Sequence, residues 1–418
     1  MSADVVVVGG GAVGACCALE LARRGARVTL LERGAELAWG CSAGNAGLIC
    51  PSHYTPLANP AALRDGFRWM LKPDSPFYLR PRPGVLPWIA RFTLAARPAR
   101  SQAAGRVVQE LARASLELHA AYAAEGLDTG LRRDGVLNVY FARESLEHAR
   151  HEAEHNRRAG LESRLLAADE AYALEPSLGP GAVGAVLYPG DAHCDPLRFV
   201  GAVGRAAGAA GVEIRTRVEA LGFRCRSGRV EAIETTEGEL RADEVVLATG
   251  AWTPGLAREL GLFVPVEGGK GYHVDLEPAE GDPKLPVWLN ETRVIATPLE
   301  GRLRLAGTLE LAGLDLSVDR VRVGAIQRAA ERGLPSLRGR RVLEVWRGLR
   351  PCTPDGLPIV GRPTGLANVV LATGHAMMGL TLAPVTGRLV AELLSGERPS
   401  HDLRPLSPDR FHPLLGRL

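Results

Sequence analysis

The chain opens on an unbroken apolar run. Asp4-Val-Val-Val-Val8 shows no polar alternation, the pattern of a parallel strand buried on both faces. An Ala/Leu-rich segment through Arg24 predicts a helix ended by Gly25, and Arg27–Arg33 predicts a second strand. Strand patterns return at 212–218, 244–250 and 368–374, the last two sharing the ending Ala-Thr-Gly. Gly228 marks a hairpin within 223–236. Two stretches, 5–19 and 363–387, lack any Asp, Glu, Lys or Arg. The first is too short and glycine-broken to span a membrane, and the second carries Asn368, His375 and two prolines, so both are expected to be buried in the fold.

Gly9, Gly11 and Gly14 stand in GxGxxG spacing between the first strand and the helix. Gly9 permits the tight turn, Gly11 lets backbone approach a pyrophosphate, and Gly14 allows close helix–strand packing. The helix start at Ala12 and Val13 offers unpaired N–H groups to phosphate. Glu32 closes the second strand, where a carboxylate accepts ribose hydroxyls and disfavours a 2′-phosphate. This unit suits FAD or NAD. An NAD domain would continue with further βα units; instead the small-residue loop Cys41–Gly47 and a long Pro- and Arg-containing stretch follow, which favours FAD.

Composition narrows the field. The 418 residues suit two or three domain-sized units or one large interleaved fold, and 46% hydrophobic with 23% charged is a globular balance. A net charge of +3 argues against a nucleic-acid binder. Of the 50 basic residues only Lys72, Lys270 and Lys284 are lysines, so a lysine kept within a motif is a candidate for chemistry that arginine cannot copy. The seven cysteines form no CxxC pair, which fits a reducing, cytoplasmic compartment rather than a disulfide framework or zinc knuckle. No basic segment precedes the first apolar run, so no signal peptide is expected. His148, His151 and His155 share a predicted helix with many charged neighbours and read as a solvated face; no metal is expected. The stretch 57–100 mixes aromatics (Phe67, Trp69, Phe77, Tyr78, Trp88, Phe92) with Arg64, Arg68, Lys72, Arg80, Arg82, Arg91 and Arg97. That mixture suits a membrane surface, a domain wall or a dimer interface.

The ordered set of motifs is more specific than any member. The N-terminal glycines, Ser42-Ala-Gly-Asn-Ala-Gly47, Lys270-Gly-Tyr272, Trp346-Arg-Gly-Leu-Arg-Pro351, Thr353-Pro-Asp-Gly356 and Thr373-Gly-His375 together resemble the bacterial FAD-dependent D-amino acid dehydrogenases, within the glycine oxidase/D-amino acid oxidase (DAO) family. The resemblance covers essentially the whole chain. It implies an α/β fold in which a Rossmann-type FAD domain (1–50, 146–262 and 346–418) interleaves with an α+β substrate domain (51–145 and 263–345) built on a mostly antiparallel sheet. In the latter, 270–276, 292–297 and 302–309 are expected strands and 318–333 a helix.

The same resemblance implies residue roles. Non-covalent FAD would be held by Gly9, Gly11, Ala12, Val13, Gly14, Glu32 and Arg33. Ser42, Asn45, Ala46, Gly47 and Leu48 of the small-residue loop would join them, with Val218 beside the adenine and Thr249, Gly250 and Trp252 along the nucleotide. Gly374, His375, Gly379, Leu380 and Thr381 would meet the flavin, where helix N–H groups favour the anionic reduced ring. Arg350 would grip the substrate carboxylate and border the flavin, with a core ion pair to Asp355 as the alternative. Tyr272 would share the carboxylate, His53 and Tyr54 would line the pocket, and Lys270 would sit near flavin N5; Lys270 and His375 are further catalytic candidates. One departure stands out: many such dehydrogenases carry Gly after the final His, where this chain has Ala376.

The expected reaction is oxidative deamination of a D-amino acid by hydride transfer from Cα to flavin N5, which needs orientation more than a general base. Electrons would pass to a respiratory carrier such as a quinone. A second reading is an oxygen-dependent oxidase of glycine, sarcosine or a cyclic amino acid such as D-proline or hydroxyproline. A third is an electron-carrying flavin subunit of a heteromeric dehydrogenase, against which Arg350 argues. A cytoplasmic protein with peripheral contact to the inner membrane face fits the first reading.

Overall fold

The computed structural model describes residues 3–64, 75–158 and 160–412. Its first strand, Asp4–Val8, lies inside a six-stranded sheet ordered Ile359–Gly361, Val369–Thr373, Glu244–Leu247, Asp4–Val8, Arg27–Glu32, Glu213–Thr216. All neighbours are parallel except Ile359–Gly361. Helices cover one face of the central strands, and the three-stranded sheet of residues 220–240 with the short helix Thr253–Glu259 covers the other, which explains runs without polar alternation. The hairpin pairs Ala220–Arg226 with Arg229–Thr235 across Ser227 and Gly228, whose φ angles of 50° and 72° suit a tight two-residue turn.

Two helices pack closely beneath this sheet, Ala12–Arg23 and Gly379–Leu394. A Cβ on Gly387 would lie 2.6 Å from the Cys16 backbone, so glycine is needed where they cross. Cys16 and Cys17 are fully buried in the contact. Pro384 sits inside the second helix and cannot bond back to the Leu380 carbonyl. His119 Nε2, on the helix Pro98–Ala124, contacts that carbonyl at 3.1 Å in its place. The segment Ala376–Leu394 is long and apolar enough to cross a membrane, yet 67% of its most apolar window is buried here as a core helix.

The second sheet runs Val342–Cys352, Glu267–Leu276, Arg302–Leu311, Val294–Leu299, Val287–Leu289, Val136–Tyr140, Gly184–Tyr188, Arg164–Ala167, and Phe77–Leu79 adds to Arg302–Leu311. Most pairs are antiparallel, and the helix Arg320–Gly333 covers one face. The three expected strands and the helix are therefore present. The sheets do not divide where the expected segments do. Arg164–Ala167 and Gly184–Tyr188, assigned to the FAD domain, belong to this second sheet, as does all of Val342–Cys352. The helix Pro98–Ala124, assigned to the substrate domain, packs instead into the nucleotide core. Apolar periodicity identifies elements but carries no information about which sheet an element joins.

Candidate active site

A cavity of about 440 Å³ runs along the carboxyl ends of the nucleotide strands to the edge of the second sheet. At one end, Gly9 adopts φ 110°, a left-handed turn closed to other residues without strain. A Cβ on Gly14 would lie 1.8 Å from the Gly9 carbonyl, so the helix rests directly on the turn. A Cβ on Gly11 would approach the Ser42 hydroxyl at 3.2 Å and narrow the cradle. Gly11 caps the helix without a side-chain acceptor, and no acid stands in the first turn. Ala12 N donates to Ser42 Oγ at 3.0 Å. These features fit a pyrophosphate.

Glu32 is buried and accepts one backbone bond at each oxygen, from Gly10 N at 2.8 Å and Gly34 N at 2.7 Å. Each oxygen keeps a lone pair for a ribose hydroxyl. Beyond it, the Arg33 guanidinium lies 3.9 Å over the Trp252 ring at the mouth, and Val218, Thr249 and Gly250 line the wall. The residues present therefore fit the adenosine half of FAD.

At the other end, Asn45, His375, Gly379 and Leu380 line the cavity. Asn45 Oδ1 accepts from Gly47 N and its Nδ2 donates to the Met377 carbonyl, tying two loops together. Gly47, Leu48, Gly374 and Thr381 support this lining from behind. Gly47 (φ 86°) packs on the Cys194 carbonyl, Gly374 (φ 79°) on Thr353, and Thr381 Oγ1 donates to the Leu48 carbonyl at 3.1 Å. Ala46 follows Asn45 in the same loop. The helix Gly379–Leu394 begins without a side-chain cap or a first-turn acid, so its N–H groups are open to an electron-rich ring. Burial pushes the His375 pKa down to about 3, and its Nε2 pairs with Thr386 Oγ1 at 2.9 Å. It is a neutral imidazole at ordinary pH.

Arg350 sits on the edge strand of the second sheet between Leu349 and Pro351, which line the cavity together with Cys41; Arg350 itself is half-buried behind that lining. Its Nη1 donates to the Thr308 carbonyl at 2.7 Å. No carboxylate lies within ion-pair distance among the described residues. Asp355, the alternative partner, is held by Arg410 at 2.7 Å. Burial pushes the Arg350 pKa below the ordinary arginine value. A cation partly withdrawn from water without a counter-charge is costly, and an anion entering the site would relieve that cost.

Strand pairing separates the remaining candidates. Gly269 faces Arg350, Gly271 faces Gly348 and His273 faces Trp346, which puts these on one side of the sheet. Lys270 and Tyr272 point to the other side. Lys270 Nζ is 2% exposed and lies 3.0 Å from Asp315, 3.0 Å from the Ser317 carbonyl and 3.5 Å from Glu310. The Tyr272 hydroxyl donates to Glu310 at 2.7 Å and accepts from Asp319 N. Neither lines the cavity. The informative member of Lys270-Gly-Tyr272 is the glycine: a Cβ on Gly271 would lie 2.0 Å from Arg350 Nη1, so only glycine leaves room for the guanidinium.

His53 and Tyr54 do not line the cavity either. His53 stacks on Trp288 at 4.5 Å and contacts Ser52 Oγ and Asn138 Nδ2, while Tyr54 packs against Gly105. His148, His151 and His155 are exposed. Two other groups have metal-ligand chemistry, Cys50–His53–Asp191 and His273–Asp275–Glu344. Asp191 already accepts from the Ser52 amide and hydroxyl, and Asp275 already holds two arginines. Cavity residues that the motifs did not single out include Trp39 and Cys41.

Similar proteins match this chain over nearly their full length. The family profile described as DAO, FAD dependent oxidoreductase, matches residues 4–393. A D-amino acid dehydrogenase of Paramagnetospirillum magneticum is 35% identical over 97% of this chain and 98% of its own. A D-amino-acid oxidase of Bradyrhizobium diazoefficiens is 32% identical with the same coverage. The crystal structure of glycine oxidase from Geobacillus kaustophilus superposes with a TM-score of 0.81 at 26% identity, covering 98% of this chain and 99% of that one. With a glycine-turn cradle, a buried acid at the end of the second strand and an uncapped helix around one cavity, the chain belongs to the DAO family of FAD-dependent oxidoreductases.

Proposed function

We propose that the protein oxidises a D-amino acid to its imino acid and passes the electrons to a respiratory carrier. The observation that carries this reading is Arg350, a half-buried guanidinium with no carboxylate partner among the described residues, beside the cavity. A substrate carboxylate supplies the missing charge in bidentate form. FAD, when bound, accepts the hydride equivalent from Cα. The chain's part is orientation: Arg350 pins the carboxylate, Gly271 makes room for the guanidinium, and the Thr308 carbonyl holds its Nη1. His375 is neutral with its Nε2 committed to Thr386, so it takes no proton from the amine. The amine enters neutral and loses one N–H proton to water as two electrons and a hydrogen leave Cα. Water then adds to the imino carbon, releasing 2-oxo acid and ammonia.

The D-amino acid dehydrogenase relatives favour this substrate class and a carrier as acceptor. The oxidase relative and the glycine oxidase structure favour the oxygen-dependent alternative. Anaerobic mixing with a panel of D-, L- and cyclic amino acids tests the reading through flavin bleaching. D-amino acids should bleach it, with rapid reoxidation by a quinone analogue and slow peroxide formation in air. Bleaching only by L-amino acids, or by none, would overturn it.

The proposed membrane contact uses the described part of 57–100. The helix Leu86–Ala95 exposes Leu86 and Leu94, and six arginines with no acid lie between Ser75 and Gln109. Phe67, Arg68, Trp69 and Lys72 lie outside the described residues. Sedimentation with anionic but not zwitterionic vesicles is the expected result; no binding to either would remove the membrane from the proposal.

A further inference from the structure

Arg304 is 1% exposed, in the middle of the strand Arg302–Leu311. Its Nε and Nη2 donate to Asp275 at 2.9 Å each. Its remaining nitrogen crosses to the flavin loop, where Nη1 donates to the Ala43 carbonyl at 2.7 Å and the Asn45 carbonyl at 2.9 Å. Two neighbours brace the same loop. His273 Nδ1 lies 3.5 Å from the Gly44 carbonyl, and the Trp346 ring stacks on His273 at 5.2 Å. A Cβ on Gly44 would lie 1.9 Å from that ring, so the loop is seated against the sheet at its glycine.

We infer that Arg304 is a positioning residue for the flavin: it draws the carbonyls of Ala43 and Asn45 toward the substrate sheet and so turns the loop's N–H groups toward the cavity. A trans peptide points its carbonyl and its N–H in opposite directions. Holding the Ala43 and Asn45 oxygens on the sheet side therefore directs Gly44 N–H and Ala46 N–H away from it. Neither N–H has a protein acceptor among the described residues. Ser42 and Asn45 of the same loop line the cavity, so the two donors form part of an anion-binding concavity. Donors fixed before electrons arrive stabilise the reduced ring without reorganisation. Through Asp275, the sheet that carries Arg350 also sets the electron affinity of the cofactor.

Arg302 supplies the control. It lies 3.0 Å from the same Asp275 as an ion pair and donates to Asp195 at 2.6 Å, yet among the described residues no hydrogen bond or ion pair joins it to the 43–45 loop. The test compares Arg304→Met with Arg302→Met in the full-length holoprotein, reading the FAD dissociation constant and the midpoint potential from dithionite titration against a reference dye. Neither reading needs an amino acid, so the outcome is independent of the substrate assignment. Arg304→Met should weaken FAD at least tenfold and lower the potential, Arg304→Lys should restore part of both, and Arg302→Met should stay within twofold of wild type. If Arg304→Met matches Arg302→Met in both flavin readings and differs only in melting temperature, Arg304 is structural and the inference is wrong. Should Arg304→Met fail to fold, Arg304→Lys against Arg302→Lys decides by the same criteria.

Discussion

The two sheets bury polar groups in opposite ways. Around its cavity the nucleotide layer relies mainly on backbone and neutral rings: open N–H groups at two helix starts, Glu32 held by backbone N–H groups, and His119, His193 and His375 held uncharged by burial. The second sheet buries full charges and pairs them. Arg304 meets Asp275, Arg322 meets Glu310 at 3.3 Å, and Lys270 meets Asp315 and Glu310. Against that habit Arg350 is the exception, and an unpaired charge in a region that otherwise pairs its charges marks where a ligand completes the structure.

Replacing the exception gives the largest effect. Arg350→Met should lower kcat/KM for amino acid by about a thousandfold, in line with ~2–5 kcal/mol for truncating a buried charge pair. The flavin spectrum should persist; loss of flavin would make Arg350 structural. A paired cation should behave differently. Lys270→Met strands Asp315 and part of Glu310, costing ~3 kcal/mol in denaturant melts. Flavin reduction and reoxidation rates should stay unchanged, and a tenfold change would bring Lys270 back to the flavin. Gly271→Ala displaces the guanidinium without removing it, so kcat/KM should fall roughly 10–100-fold with little loss of FAD; unchanged kinetics would show that Arg350 adapts.

Acid probes the nucleotide layer. His119 and His193 titrate at about 4 and His375 at about 3, against an ordinary 6.5. Below pH 6.5 the unfolded chain takes up protons that the folded one refuses. Stability is therefore full above pH 6.5 and falls as the pH drops toward 4, by about 1.4 kcal/mol per unit for each imidazole. Melting temperatures at pH 7.5 and 5.5 check this; equal values would mean these rings are protonated in the fold. Tyr272→Phe should have the smallest effect, about 1 kcal/mol of stability with unchanged substrate kinetics. A large rise in KM would return the hydroxyl to the substrate.

The glycine turn was legible because tight turns and close packing leave glycines at fixed spacing: Gly9, Gly11, Gly14 and the strand end at Glu32 can be read without knowing any distant contact. Arg350 stood out only through its motif context. The neighbours Lys270 and Tyr272 drew attention that belonged to Gly271, since a conspicuous side chain beside a glycine says nothing about which face of a strand it occupies until the partner strand is known. Arg304 and Asp275 did leave a trace. They are charges at same-face positions within apolar strands, and only the pairing of Asp275 with Arg304 across the sheet gives that trace meaning. Sheet membership of Arg164–Ala167 and Gly184–Tyr188 left none, because hydrogen-bond partners are set by tertiary packing.

The interleaving has a consequence in time. Asp4–Val8 pairs with Glu244–Leu247, which pairs in turn with Val369–Thr373, so the first strand made waits for nearly the last. At a synthesis rate of roughly 5–20 residues per second, the glycine turn emerges some 20–70 s before the helix that completes the cavity opposite it. Until Glu244–Leu247 is made, Asp4–Val8 has only Arg27–Glu32 beside it, and until the last helix follows, the cofactor has only half of its binding surface. Flavin supply during synthesis should therefore matter little until the final hundred residues, after which cofactor capture and completion of the nucleotide sheet become one event.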